Sequence, residues 1–72
     1  MEKITLKAAR INKGLSAKKA AQFAGITEDT LYRYEAGKGS PKIEVALKLA
    51  EAYGVSINVI DFSVPTGSEK TN

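Results

Sequence analysis

Residues 21–34 read AQFAGITEDTLYRY, and within them Ala21, Gly25, Leu31 and Tyr34 follow at separations of four, six and three. That spacing suits two short helices crossing through one tight turn. Gly25 can end the first helix, because a left-handed residue there costs glycine least. Thr27 can cap the second. Only Gly25 and Ile26 then separate Ala24 from the cap, so the two helices must cross steeply and touch. The small residues Ala20, Ala21 and Ala24 permit that approach, with Leu31 and Tyr34 packing opposite.

Helix signals recur along the rest of the chain, and no segment sustains apolar/polar alternation. Thr5 can cap a first helix over about 6–12, closed by Gly14, with Leu6, Ala9 and Lys13 along one side. Ser16 caps a second over 17–24, and the third runs over about 28–36 to Gly37. Ser40 is placed to cap a fourth over about 42–53, with Pro41 at its first position, where a missing N–H does no harm. Ile43, Ala46, Leu47, Ala50 and Tyr53 form its apolar stripe. Ser56 caps a short fifth helix over 57–61, and 63–72 (SVPTGSEKTN) has the composition of a disordered tail. The expectation is a compact all-α domain of five helices over residues 1–62 and a flexible tail over 63–72. Neither an internal repeat nor a second domain is visible.

A chain of 72 residues builds one small domain. It has no Cys and no His, hence no disulfides, no soft metal ligands and none of the commonest general base. Its carboxylates fall on helix surfaces, and its Tyr and Ser residues have no His partner. An enzyme is therefore not expected, nor a cofactor, nor a small-molecule substrate. No apolar run is long enough to span a bilayer, and a soluble, cytoplasmic protein is expected. Charge is unevenly spread. Residues 1–42 carry nine Lys and Arg against four acids, whereas the remainder carries two against four, so the net +3 conceals a basic N-terminal portion. Such a portion fits a positive face presented to a polyanion.

Two helices crossed in this way read as a helix-turn-helix, which makes double-stranded DNA the leading partner. A helix docked in the major groove shows base edges the side chains of its first turns, while the preceding helix crosses the backbone. With Leu31 and Tyr34 inward, the third helix turns Glu28, Asp29, Tyr32 and Arg33 outward. Arg33 is the strongest base reader, since its planar fork can donate twice to guanine O6 and N7. Glu28 and Asp29 can accept from cytosine N4, although acids in a first helical turn also suit the macrodipole. Tyr32 can reach a thymine methyl or a phosphate.

The segments ARINKGLS (9–16), AxxAGIT (21–27), TLYRYEAGKGSP (30–41) and LKLAEAYGVS (47–56) together resemble the lambdoid phage repressor and Cro family, the XRE-type helix-turn-helix proteins. The resemblance covers about 4–62. It implies a five-helix domain that binds operator DNA as a homodimer and regulates transcription, most often by repression. The family's ion pair between first and third helices falls on Arg10 and Glu35, leaving Arg10 near a backbone phosphate, and its base-contacting positions fall on Glu28, Asp29, Tyr32 and Arg33. Its phosphate contacts fall on Ser16 at the start of the second helix and on Lys38, Ser40 and Lys42 after the third. Many members place Gln where this chain has Ala17, and Lys18 or Lys19 can substitute for that contact. In the fifth helix Ile57, Val59, Ile60 and Phe62 exceed what sealing a core requires, so some should be exposed. The resemblance makes Val59 and Phe62 candidates for the homodimer interface. Two other roles use the same fold: a protein-interaction module whose acidic third helix no longer binds DNA, and an antitoxin that also blocks a toxin.

Overall fold

The computed structural model describes residues 3–62 and shows four α-helices closed by a very small parallel ladder. In chain order they are β1 (Ile4–Thr5), α1 (Leu6–Lys13), α2 (Ala17–Ala24), α3 (Glu28–Glu35), α4 (Ile43–Tyr53), a 3-10 turn (Ile57–Val59) and β2 (Ile60–Asp61). The expected tail over 63–72 lies outside the described residues.

The first three helices start where their hydroxyl caps stand. The Thr5, Ser16 and Thr27 side chains accept from the backbone N–H of Ala8, Lys19 and Thr30 at 3.0, 3.1 and 3.1 Å. Each satisfies one of the amides that a helix start leaves without a partner. At the turn between α2 and α3, Gly25 is left-handed at φ +76°, and the Ile26 N–H reaches back to the Ala21 carbonyl at 3.0 Å. Ile26 then folds partly into the core, which fixes the direction in which α3 departs.

The core is built from small residues around two leucines. Ala17, Ala20, Ala21 and Ala24 of α2 and Ala46 and Ala50 of α4 are buried, and Leu31 and Leu49 are fully enclosed. Alanine faces let helix axes approach closely, so α2 lies against both α3 and α4. Ala17 buries its methyl group in this core.

Three expectations need correction. The fourth helix begins at Ile43, not Lys42. Pro41 lies before the helix, and Lys42 is extended (φ −63°, ψ 157°) in the cap position with no side-chain cap bond. Ser40 therefore stands two residues too early to reach the first free amides. The buried face of α4 is Ala46, Leu49, Ala50 and Tyr53, while Ile43 and Leu47 are 63% and 49% exposed. At about 100° per residue, Ala46, Leu49, Ala50 and Tyr53 share an arc of about 100° with Leu49 at one edge, and Leu47 points some 100° away from Ala46 and beyond the opposite edge. The fifth helix is also absent. After Ser56, whose hydroxyl accepts from Asn58 N–H at 3.2 Å, the chain makes one 3-10 turn and straightens into β2.

β2 pairs in parallel with β1, Ile4 opposite Ile60 and Thr5 opposite Asp61. This clips the two ends of the domain together. Ile60 is buried, whereas Ile57, Val59 and Phe62 are partly buried and packed against the core, so none of the four is fully exposed.

Candidate nucleic-acid interface

The third helix is held from beneath by a buried ion pair. Arg10 of α1 donates from Nε to Glu35 Oε2 at 2.7 Å and from Nη2 to Glu35 Oε1 at 3.3 Å. Its Nη1 donates to the Leu15 carbonyl at 3.1 Å, so each guanidinium nitrogen is engaged. Only 8% of Arg10 is exposed. The hydrogen bond to Glu35 raises the Arg10 pKa above its ordinary value, outweighing the opposing effect of burial. A fork-to-fork bond of this kind fixes orientation as well as distance. It ties the last turn of α3 to α1 and to the loop that launches α2.

Tyr53 of α4 adjoins this pair electrostatically. Its ring is buried, its hydroxyl has no hydrogen-bond partner among the described residues, and burial, then the negative charge of Glu35, push the phenol up to about 12 against a smaller lowering by Arg10. Sequence reasoning placed Tyr53 on the core stripe, but no pattern in the chain signals an orphaned hydroxyl. The Leu15 carbonyl as a third anchor for Arg10 also went unforeseen, since any backbone oxygen is chemically equivalent until the loop is built.

With Leu31 buried and Tyr34 partly so, the outer face of α3 presents Glu28, Asp29, Tyr32 and Arg33, all four exposed. The Tyr32 hydroxyl donates to Glu28 Oε2 at 3.4 Å, a long bond across one helical turn. After α3 the Lys38 N–H returns to the Arg33 carbonyl at 2.9 Å, and a methyl group added at Gly39 would meet the Tyr34 ring at 3.9 Å. The loop is thereby folded onto its own helix, and Lys38, Ser40 and Lys42 are exposed along it. At the other flank Ser16, Lys18 and Lys19 are exposed in the first turn of α2, where the free amides and the macrodipole favour an anion. Arg10 stands apart from the other expected phosphate-contacting residues, because its charge is turned inward.

A second surface lies beside this one in sequence and is of mixed character. Pro41, Ile43, Ala46, Ile57, Ile60 and Phe62, together with the polar Lys3, Ser40 and Asn58, line an open cleft of about 410 Å³, with Leu47 exposed on the helix that carries Ile43 and Ala46. Val59 and Phe62, expected at a homodimer interface, are both partly buried, only Phe62 lines the cleft, and Ile43 and Leu47 are the more exposed. Among the described residues no helix is long and apolar enough to cross a membrane. Nor do any three of their Asp and Glu side chains gather where a metal ion could be held.

The chain is similar to proteins from phages, bacteria and archaea. It is 38% identical over 55 residues to the SPbeta prophage-derived uncharacterized HTH-type transcriptional regulator YonR of Bacillus subtilis, covering 76% of this chain and 51% of that one. It is 40% identical over 48 residues to the cryptic phage CTXphi transcriptional repressor RstR of Vibrio cholerae, covering 67% and 43%. A putative HTH-type transcriptional regulatory protein of Methanocaldococcus jannaschii is 35% identical over 65 residues, 89% of this chain but 20% of its own length. The chain thus spans about half or less of these relatives. Among solved structures none matches it significantly. The helix-turn-helix family model matches residues 6–60, which contain the α2–α3 pair and the Arg10–Glu35 bond that holds it, and the chain belongs to this XRE-type family of phage repressors and Cro proteins.

Proposed function

We propose that this protein is a sequence-specific DNA-binding transcriptional regulator, acting as a homodimeric repressor that places α3 in the major groove of its operator. The observation that carries this reading is the bidentate Arg10–Glu35 pair, which aims the exposed face of α3 outward from a rigid base. Family membership and the regulators named above support it.

Arg33 and its neighbours on α3 face base edges. Ser16, Lys18, Lys38, Ser40 and Lys42 flank them and suit phosphates, which position the domain without reading sequence. Arg10 acts from below by placing α3. The second copy packs on the cleft beside Ile43, with Val59 and Phe62 at its margin, so that two reading helices face one duplex. Titrating salt against binding to a random duplex tests the reading. A logarithmic slope of about −3 per protomer is expected if Lys18, Lys38 and Lys42 each neutralise one phosphate, at about 0.9 per contact.

One observation favours a different role. Glu28 and Asp29 put two exposed carboxylates on the face that would approach phosphates, as in a module that binds protein instead. Absence of any salt-dependent binding would select that role, and a copurifying small toxic partner would select an antitoxin.

A further inference from the structure

Four exposed side chains on α3 fall into two pairs one helical turn apart, Glu28 with Tyr32 and Asp29 with Arg33. The first pair is closed on itself, since the Tyr32 hydroxyl donates to Glu28. The second is open. Asp29 and Arg33 stand at a separation that often forms an ion pair, yet neither makes a side-chain hydrogen bond or ion pair among the described residues.

Resting on the DNA reading above, we infer that the open pair reads the operator: Asp29 accepts from a cytosine N4 amino group, Arg33 donates to guanine O6 and N7, and Glu28 reads no base. Each half-site then carries a cytosine and a guanine at fixed places. Four residues rise about 6 Å along a helix, and base pairs stack about 3.4 Å apart, so the two bases fall on pairs one or two steps apart. The chemistry favours these two bases. Adenine sets an N7 acceptor beside its N6 donor, which repels a carboxylate, whereas cytosine offers its N4 donor without that neighbour; and guanine alone gives a guanidinium fork two adjacent acceptors, O6 and N7. Glu28, engaged by Tyr32, lowers affinity through repulsion from phosphates without choosing a base.

The test is selection of bound sites from a random-core duplex library at low salt, with the whole chain and three variants checked for helical content. Wild type is expected to select C and G one or two base pairs apart in each half-site, with roughly ten- to a hundredfold discrimination at the guanine. Arg33→Ala loses the guanine alone. Asp29→Asn changes the cytosine to adenine, because an amide matches adenine N6 and N7. Glu28→Gln leaves the selected site unchanged and binds more tightly. If Asp29→Asn and Arg33→Ala select the wild-type site, or Glu28→Gln selects a different one, the assignment is overturned while DNA binding stands. If wild type enriches nothing, the DNA reading itself fails and the assignment with it.

Discussion

Replacing Glu35 by Gln should cost this domain far more than removal of an ordinary surface ion pair. The Glu35 and Arg10 side chains are 5% and 10% exposed, and the carboxylate takes two of the guanidinium's hydrogen bonds. Glu35→Gln keeps the size but leaves a buried cation whose charge is no longer balanced, although the Leu15 carbonyl still accepts from it. Breaking such a pair from one side costs about 3–5 kcal/mol, against 0–1 kcal/mol for an exposed pair. A domain of this size is stable by about 3–9 kcal/mol in all, so a large share of its stability rests on one bond. Thermal melts followed by helical circular dichroism should show the midpoint falling by at least about 10 °C. Salt should change the difference little, because buried pairs are poorly screened. The double replacement Arg10→Met with Glu35→Leu should recover most of the loss, since apolar residues of similar volume often substitute for a buried pair. It should not recover sequence-selective binding, because the fork that orients α3 is gone. A Glu35→Gln variant within about 0.5 kcal/mol of wild type would refute the claim that this pair anchors α3.

Gly25→Ala should destabilise by about 1–2 kcal/mol although space exists for the methyl group, because the cost lies in the left-handed backbone at φ +76°; chemical denaturation measures it. Tyr53→Phe should raise stability by about 1 kcal/mol by removing an unsatisfied hydroxyl, and a loss of similar size would mean the hydroxyl has a partner. In wild type the folded state holds the phenol up to about 12 against an ordinary 10.0, so the Tyr53 contribution is complete below pH 10 and lost as pH rises toward 12. Two pKa units correspond to roughly 2–3 kcal/mol, and subtracting the alkaline stability profile of Tyr53→Phe isolates it. Ile43→Glu should leave the melting midpoint nearly unchanged, since Ile43 is 63% exposed, yet weaken self-association about tenfold or more by sedimentation.

The α2–α3 pair was legible because its signals are local. Ser16, Gly25 and Thr27 each fix one backbone position by their own chemistry, and the alanines that permit crossing sit between them. The Arg10–Glu35 bond joins residues 25 apart, so no local rule could find it, and only resemblance to a family placed it. The start of α4 was misjudged because Ser40 and Pro41 carry start signals of equal strength two residues too early. Its inward face was misjudged because Leu47 and Leu49 are chemically alike, and the direction of burial is set by α2. The β1–β2 ladder left no pattern at all, since two-residue strands are too short to show alternation. The outer face of α3 was read in full as exposed, yet its division into a closed and an open pair depends on the Tyr32 rotamer and had to be seen.

The central claim is that α3 and its flanking cations form the surface that meets DNA. Amide chemical-shift mapping during titration with a short duplex tests it most directly, because each residue reports separately. The expected result is that shifts concentrate at 16–19, 28–33 and 38–42 and fade as salt is raised. Shifts confined to the cleft around Ile43, Ile57 and Phe62 that spare 16–19 and 28–33, or no shifts at low salt, would contradict the account.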